Sequence, residues 1–290
     1  MGDLKMGFYD SLDSVLSPVL DPFLKLNPLV AIILLSFILA LIITIIYKYM
    51  TDQELMKTLK SDIKSMQKEM KQLRDKPQKM MEVQKKAFEK NMKYMMQSMK
   101  PTLVTFIPII LIFGWLSGNF AYEPVSPGEK FSTYIFFEDE DAAEQAEIIV
   151  PEGLTLLSGR TSDVNMIGAE DNPDELPFDN HYLTSRRYGK VFDDDTDVYF
   201  AGWELEGKAG KYTIEYVVDG KNYFKDVIVS RVRYEDPIKE VHDGTVSGVI
   251  IDQGKLVILN IFGWGIGWLG TYIIFSIIFS MGLRKILKLH

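Results

Sequence analysis

The sequence predicts an α-helical integral membrane protein with three transmembrane helices and an all-β domain inserted between the second and third helices. Three apolar stretches, at 29–47, 102–120 and 256–283, contain no charged residue and no histidine. A helix of 19 residues reaches about 28 Å, which matches a hydrocarbon core of about 30 Å. A Lys- and Met-rich segment with helical periodicity precedes the second stretch, and short runs typical of β-strands follow it.

Basic residues indicate how the chain is oriented. Residues 51–100 carry thirteen Lys or Arg against seven Asp or Glu, whereas residues 121–255 carry thirteen against twenty-nine. Lys48 lies at the end of the first stretch, and Arg284, Lys285 and Lys288 follow the third. By the positive-inside rule both basic flanks are cytoplasmic. We therefore expect a multi-pass protein of the cell membrane, with its N-terminus and acidic segment outside and its C-terminus inside.

These patterns divide the chain into seven segments. The predicted transmembrane helices are 28–48, 101–120 and 256–283; the cytoplasmic loop is 51–100, the outer domain 121–250 and the cytoplasmic tail 284–290. Residues 7–26 place apolar side chains on one helical face, which predicts a helix lying in the outer interface, with a break expected at Pro18. A disordered tail is the alternative. The face consists of Phe8, Leu12, Val15, Leu16, Val19, Leu20, Phe23 and Leu24.

The cytoplasmic loop has the periodicity of a coiled coil. Apolar side chains recur there at alternating steps of three and four residues. They are Met56, Leu59, Ile63, Met66, Met70 and Leu73. Pro77 ends this helix, and a second pattern follows at Met81, Phe88, Met92, Met95 and Met99. We predict an antiparallel coiled-coil hairpin, with a parallel dimer of two chains as the alternative.

Nine of the fourteen methionines lie in residues 51–100. Methionine side chains are flexible and polarizable, so they fill loose cores but also suit surfaces that bind many apolar partners. Met80 and Met81 are adjacent, as are Met95 and Met96, so one member of each pair must point away from a helix seam. With Met92 and Met99, these four are the candidate contact residues.

The outer domain reads as a β-sandwich, for which an immunoglobulin-like fold is one candidate. Two alternating β-rich runs flank Asp219-Gly220, a pair suited to a type I′ hairpin turn. The acidic cluster Asp193, Asp194, Asp195 and Asp197 is a candidate calcium site, although it lacks the spacing of an EF-hand. A solvated acidic loop is the alternative interpretation.

Small and polar residues mark the second and third apolar stretches. Gly263 and Gly267 form a small-xxx-small pair, which predicts close helix packing. Tyr272, Ser276 and Ser280 recur every four residues, so we expect their hydroxyls on one stripe facing Thr102 and Thr105. Ordinary hydrogen bonding to carbonyls of the same helix is the alternative.

Several classes of activity find no support in the sequence. The absence of cysteine excludes disulfides and thiolate metal sites. The apolar stretches lack the ionisable residues used in ion-coupled transport. Neither a Walker A sequence nor the motifs HExxH, GxSxG and CxxC occur. We expect a protein that is not an enzyme and uses no cofactor or metal.

Two segments carry a resemblance to a known family. They are "QKMMEVQKKAFEKNMKYMMQSMKPTLVTFIPIILIFGWL" and "GWLGTYIIFSIIFSMGLRKIL". Over roughly 7–120 and 256–290, the chain resembles the archaeal branch of the YidC/Oxa/Alb superfamily of membrane protein insertases. Relatives of that branch include the insertase subunit of the endoplasmic reticulum membrane protein complex.

The resemblance implies a mechanism. Such proteins receive a nascent transmembrane segment from the ribosome and pass it into the bilayer through a polar intramembrane groove, without ATP. The methionines would contact the nascent chain, and Thr102, Thr105, Tyr272, Ser276 and Ser280 would line the groove. Basic residues of the loop would contact ribosomal RNA or lipid headgroups. These are Lys68, Lys71, Arg74, Lys76, Lys79, Lys85 and Lys86.

The implied partners are nascent membrane proteins, the ribosome and the bilayer, with the Sec translocon or a small membrane subunit as further candidates. The sequence departs from the family pattern in two ways. Bacterial members have an arginine in the groove, whereas these apolar stretches carry no charge, so hydroxyls and amides would have to supply the polarity. The outer domain lies outside the minimal family core. The alternative function is a non-catalytic scaffold that anchors the outer domain and a coiled coil.

Overall fold

The computed structural model describes residues 16–168, 177–178, 197–287 and 289. They fall into two compact units, one combining the residues up to Leu116 with those from Val257, the other comprising Ser117–Leu256. The helices are α1 (16–24), α2 (Pro28–Met50), α3 (Gln53–Gln72), α4 (Pro77–Phe120) and α5 (Trp268–Ile286). Helices α2, α4 and α5 are long and apolar enough to cross a membrane, which confirms the three predicted spans.

Helix α1 covers the part of the predicted interfacial segment that the structure describes. Leu20 and Leu24 are buried, whereas Val19, expected on the same apolar face, is exposed. Pro18 does not interrupt the helical residues 16–24. The break expected at Pro18 is therefore not found within the described part, and the location of α1 in the membrane interface stays a prediction.

The residues at the start of helix α2 favour the beginning of a helix. The Asn27 side chain accepts a hydrogen bond from the Leu29 backbone N–H at 3.0 Å, and Pro28 occupies the first helical position, where no N–H is needed. The buried face of α2 includes the small residues Ala31, Ser36 and Ala40, which allow close packing. Phe37 of α2 meets Phe279 of α5 edge to face at 5.3 Å.

Helices α3 and α4 form an antiparallel hairpin within one chain. Asp52 caps α3 by accepting from the Leu55 N–H, and Pro77 starts α4 rather than merely ending α3. Across the hairpin, Lys90 Nζ lies 2.9 Å from an Asp62 carboxylate oxygen. This contact joins the two helices of one chain across the turn, so it favours the hairpin over the parallel dimer. Coiled-coil packing itself stays a prediction.

The buried stripe of α4 differs from the predicted one. The predicted face of α3 is the less exposed one, with Met56 and Leu59 fully buried. On α4, however, Met81, Phe88, Met95 and Met99 are exposed and Met92 is half-buried. The covered residues are Met80, Val83, Ala87, Lys90 and Tyr94, which recur at the heptad steps of three and four. The second seam predicted from the methionines was therefore wrong.

The helix that contains the second span is continuous through Pro101. Helix α4 runs for 44 residues and contains both Pro101 and Pro108. At 1.5 Å per residue it is about 66 Å long, enough for a span and a cytoplasmic extension. The predicted hairpin segment ending at 100 and the predicted span starting at 101 are thus parts of one continuous helix, and the position of the membrane boundary along it stays a prediction.

The third span is shorter than predicted. Residues 256–267 are not helical; strands β11 (Leu259–Ile261) and β12 (Trp264–Ile266) form a hairpin before α5. Gly263 lies in the hairpin turn at φ 91°, and Gly267 caps the N-terminus of α5. The predicted helix-packing pair is therefore wrong, because Gly263 serves a positive-φ turn.

The second unit contains two antiparallel sheets. One has the order β3-β6-β1-β10-β9, with β5 also paired to β6; the other has the order β4-β2-β7-β8. The strands are β1 (Lys130–Phe137), β2 (Gln145–Ile149), β3 (Leu154–Leu156), β4 (Thr161–Asp163), β5 (Asn165–Ile167), β6 (Val198–Gly207), β7 (Gly210–Val218), β8 (Lys221–Val229), β9 (Ile238–Glu240) and β10 (Val246–Ile251). The predicted turn joins β7 to β8, with Asp219 and Gly220 both at positive φ.

Both sheets contribute to one apolar core. Ile135, Trp203 and Leu205 from the larger sheet and Ile148 and Tyr216 from the smaller sheet belong to the same buried cluster. Alternation of buried and exposed residues along β7 and β8 is typical of strands with one buried face. These contacts fit the predicted sandwich, while its immunoglobulin-like type stays a prediction.

Chain entry and exit of this unit lie side by side. Glu123 N donates to Gly254 O at 2.8 Å, and Leu256 N donates to Ala121 O at 3.1 Å. The Tyr234 hydroxyl accepts from Ala121 N and donates to Ser117 O, at 3.0 and 2.6 Å. A domain whose ends are adjacent can be inserted between two transmembrane helices without separating them.

One lysine of this unit is buried. Lys225 Nζ donates to the backbone carbonyls of Asp226 and Asp236 at 2.8 and 2.6 Å. Burial lowers the pKa of Lys225 to about 8, because the charged form loses hydration that the nearby carboxylates only partly replace.

Candidate functional site

A cavity of about 340 Å³ lies where α2, α4 and α5 come together at the ends nearest the hairpin. Helix α2 contributes Ile43 and Tyr47, and α5 contributes Arg284. Helix α4 supplies the remaining lining residues. They are Tyr94, Ser98, Met99, Pro101, Thr102 and Thr105. The cavity therefore combines one cation, several hydroxyls and an apolar thioether.

The α4 hydroxyls keep acceptor capacity for the cavity. Ser98, Thr102 and Thr105 donate to the carbonyls of Met95, Ser98 and Thr102, at 2.9, 3.1 and 3.1 Å. These contacts are the ordinary same-helix bonds expected as the alternative for Ser and Thr in spans. Each side chain uses its single hydroxyl hydrogen in this bond, so the lone pairs of its oxygen stay available to accept a hydrogen bond from another donor. Pro101 also provides no N–H to the carbonyl four residues before it, which adds acceptor character to this stretch.

Arg284 brings a permanent positive charge to the cavity. Its guanidinium lies 5.0 Å from the centroid of the Tyr47 ring, within the range of a cation–π contact. Arg284 belongs to the last turn of α5, where a cation also interacts favourably with the helix dipole. The third apolar stretch predicted from the sequence ended at Leu283, one residue before Arg284. The helix instead continues to Ile286 and places this charge on the cavity wall.

At their other ends, α4 and α5 meet through aromatic contacts. The Phe113 ring lies 4.8 Å from the Tyr272 ring and 5.7 Å from the Trp268 ring, both edge to face. Such pairs contribute about 0.5–1.5 kcal/mol beyond the area that they bury. The two helices are thus in contact near residue 113, while polar space lies between them near residues 102 and 105.

The stripe predicted on α5 is only partly near this site. Tyr272 is buried against Phe113, and the Ser276 hydroxyl donates to Ile273 O at 3.0 Å. Tyr272, Ser276 and Ser280 are not among the cavity-lining residues, whereas Thr102 and Thr105 are. The structure therefore does not bring the two predicted halves of the groove together in this cavity. A role for the α5 hydroxyls stays a prediction.

The predicted contact methionines form an exposed surface on α4. Met81, Met95, Met96 and Met99 are exposed, Met80 and Met92 are half-buried, and Met99 also lines the cavity. Met96 has 63% of its surface exposed, and Met95 has 42%. A soft apolar surface therefore leads along α4 to the polar cavity.

The seven predicted basic contact residues are all exposed and lie on both helices of the hairpin and on its turn. They are Lys68, Lys71, Arg74, Lys76, Lys79, Lys85 and Lys86. Their charges are thus available to a polyanion or to anionic headgroups. The same exposure is expected of a basic surface that contacts only water.

Metal binding finds no support in the part of the chain that the structure describes. No group of three or more His, Cys, Asp or Glu residues there could hold a metal ion. The candidate calcium residues Asp193, Asp194 and Asp195 lie outside the described residues, and only Asp197 lies within them.

Sequence reasoning missed six residues of the cavity, namely the polar residues Tyr47, Tyr94, Ser98 and Arg284 together with Ile43 and Pro101. One signal could have revealed Arg284. It lies four residues after Ser280, so it continues the Tyr272, Ser276 and Ser280 period on the same helix. Tyr94 fits the heptad stripe of α4, but the stripe chosen from the methionines excluded it.

The membrane segment matches a known protein family. Residues 17–136, which contain α2, the hairpin and the whole of α4, match the family described as integral membrane protein EMC3/TMCO1-like. No curated protein and no solved structure gave a match. The family match confirms the resemblance to the relatives of the endoplasmic reticulum membrane protein complex subunit. Over residues 17–136, this chain is therefore similar to the EMC3/TMCO1-like family of integral membrane proteins.

Proposed function

We propose that this chain is a membrane protein insertase, which receives apolar segments of nascent membrane proteins at its α3–α4 hairpin. It passes them into the bilayer through the cavity between α2, α4 and α5, without ATP. The observation that carries the proposal is the continuity of α4, whose exposed methionines lead directly to a cavity containing Arg284. The family, which is associated with membrane insertion, supports a general role in membrane protein biogenesis.

Capture of the client rests on the methionine surface. An emerging transmembrane segment is apolar but has no fixed sequence, so its receptor must adapt to different shapes. Unbranched thioether side chains can do so at little cost. The exposed lysines of the hairpin would hold this surface near ribosomal RNA or the headgroup layer by charge attraction. The Sec translocon or a small membrane subunit is a further candidate partner.

Transfer of the client rests on the polar cavity. A charged residue at the bilayer centre costs about 2.5–3.5 kcal/mol on insertion scales. Arg284 and the hydroxyls of Ser98 and Thr102 can replace part of the hydration of a polar flank while the apolar segment moves into lipid. The exposed apolar residues Leu103, Phe106 and Ile107 follow immediately on α4, which suits release into hydrocarbon.

A scaffold that only anchors the outer domain is the second candidate. One span would suffice for such an anchor, and nothing in that role requires a polar cavity between three helices. The two functions differ in whether a client occupies the cavity.

Photocrosslinking from adjacent residues tests occupancy of the cavity. A photoreactive amino acid at Thr102, which lines the cavity, should crosslink a stalled nascent transmembrane segment. The same probe at Leu103, which is exposed and outside the cavity lining, should crosslink it several-fold less at the capture stage. Equal yields from both positions, or none from Thr102, would exclude transfer through this cavity.

Orientation in the membrane is testable because the chain has no cysteine. Single cysteines at Lys76, in the α3–α4 turn, and at Gly220, in the β7–β8 turn, both lie at exposed positions. An impermeant thiol reagent should label Gly220→Cys only from outside and Lys76→Cys only from inside. Labelling of both from one side would contradict the proposed three-span topology.

A further inference from the structure

A short β-ribbon precedes the last transmembrane helix. Strands β11 and β12 are joined by Phe262 and Gly263, whose φ angles of 54° and 91° indicate a two-residue type I′ turn. The Asn260 side chain accepts a hydrogen bond from Gly263 N at 2.9 Å and holds the turn closed. Within the described residues this ribbon is a sheet of two strands only.

One face of the ribbon is apolar, and it is exposed towards the tip, at Ile261 and Trp264, while Leu259 and Ile266 at its base are half-buried. Leu259 pairs with Ile266 and Ile261 with Trp264, so these four side chains share a face, because residues two apart lie on the same side of a strand. Trp264 is 80% exposed, and Phe262 at the tip is 100% exposed. Residues 256–283 carry no charge.

The ribbon is attached closely to α5. Ile258 N donates to Ile266 O at 3.0 Å, and β12 runs directly into Gly267, the N-cap of the helix. A Cβ atom on Gly270 would lie 2.6 Å from Ile266, so glycine at this position lets the end of the ribbon approach the first turn of the helix. The depth of the ribbon in a membrane is therefore coupled to that of α5.

Helix α5 carries charged residues in its last turn, at Arg284 and Lys285. Its uncharged part, Trp268–Leu283, is about 24 Å long, less than the hydrocarbon core of about 30 Å. A two-stranded ribbon is at best marginally stable in water by itself. Its unpaired backbone edges also exclude it from the hydrocarbon core. The headgroup interface, where Trp is enriched, satisfies both requirements.

We propose that the β11–β12 ribbon is a membrane-interface anchor. Its apolar face and Phe262 insert among the headgroups and upper acyl chains at the N-terminal end of α5, opposite the end that carries Arg284. The occupant of this surface is lipid, since the ribbon continues directly into a spanning helix whose uncharged part is shorter than the hydrocarbon core. Anchoring here fixes the depth of α5 and hence that of Arg284 at the far side. The proposal does not depend on insertase activity.

Spin labels test the proposal in the full chain reconstituted in phosphatidylcholine–phosphatidylglycerol vesicles. A single label at Phe262→Cys, and separately at Trp264→Cys, is compared with one at Gly220→Cys. That control is in another two-residue turn with positive φ at both positions. Collision rates with oxygen, which concentrates in lipid, and with a water-soluble nickel complex are measured for each label.

We expect the labels at 262 and 264 to show high oxygen and low nickel accessibility, with the reverse at 220. Each variant retains the other aromatic side chain, so its ribbon can still anchor. The proposal therefore requires the lipid pattern from at least one of the two labels. Nickel accessibility at both positions equal to that at 220 would place the ribbon in water. Low accessibility to both reagents at both positions would mean that protein covers it. Either result overturns the proposal.

Discussion

Replacing Arg284 by Leu is expected to slow the insertion of a client with an acidic translocated end about tenfold. The guanidinium lies on the wall of the cavity beside Tyr47, at an exposed position from which it can reach an acidic group of the client. Losing about 1.4 kcal/mol of attraction in the transition state reduces the rate tenfold, and hydrogen bonds to charged groups contribute about 1.5–3 kcal/mol. Insertion is measured in proteoliposomes with a protease-protection assay.

Two variants separate the role of the cavity from that of the cytoplasmic charge. Lys285→Leu removes a charge from the same helix end, at a residue that is exposed like Arg284 but lies outside the cavity lining, so it should leave the rate nearly unchanged. Arg284→Lys keeps the charge and should retain most of the activity. Equal losses from Arg284→Leu and Lys285→Leu would show that both residues only orient the helix. Equal losses for acidic and uncharged clients would indicate a folding defect.

Charge and hydropathy predicted the membrane part well because spans must satisfy a simple physical requirement. A stretch such as 29–47 has no other stable environment than lipid or a large core, so its helix could be expected from composition. The β7–β8 hairpin was predictable for a similar reason, since Asp219-Gly220 suits one turn type. Both features depend on local sequence, and both are found in the structure.

Packing details were less predictable, since they depend on which neighbour a side chain meets. On α4, the stripe of Met81, Phe88 and Met95 is more apolar than the covered stripe, which contains Ala87 and Lys90. The covered stripe nevertheless fits the hairpin, because Ala87 is small and Lys90 pairs with Asp62 across it. Hydrophobicity alone selected the wrong stripe.

Glycine and proline were also ambiguous in the sequence. Gly263 and Gly267 have the spacing of a helix contact, but the neighbouring Asn260 and Phe262 form a turn that needs a positive φ at Gly263. Pro101 looked like a boundary, yet α4 continues through it. Continuity of α4 is what joins the methionine surface to the cavity, so these ambiguities affected the candidate site as well as the fold.

The methionine surface provides the prediction with the largest expected effect. Replacing Met95, Met96 and Met99 together by Ser should lower the affinity for an apolar nascent segment about a hundredfold. Fully burying one methionine against a partner is worth about 1.5–3 kcal/mol. Even a loss of about 1 kcal/mol at each of three partly covered side chains lowers the affinity by about two orders of magnitude. Affinity is measured from the yield of crosslinks to a stalled nascent chain at increasing concentrations of the protein.

The fold of the hairpin should survive this change. All three side chains are exposed, and exposed substitutions usually alter stability by less than about 0.5 kcal/mol each. The contrasting control is Met56→Ser, because Met56 is completely buried and its truncation leaves a cavity. That variant should lose helical content and thermal stability, by about 2–5 kcal/mol if it behaves like other truncations of buried methionine. Circular dichroism distinguishes the two variants before any client is added.

Triple substitution by Leu separates flexibility from hydrophobicity, since it keeps the surface apolar while reducing side-chain flexibility. If adaptability matters, Met95→Leu, Met96→Leu and Met99→Leu together should preserve binding of some clients and weaken binding of others. If hydrophobicity alone matters, all clients should bind as before. Unchanged binding by the Ser variant would remove the methionines from client capture altogether. A parallel loss of helicity and binding in the Ser variant would instead assign them to the packing of the hairpin.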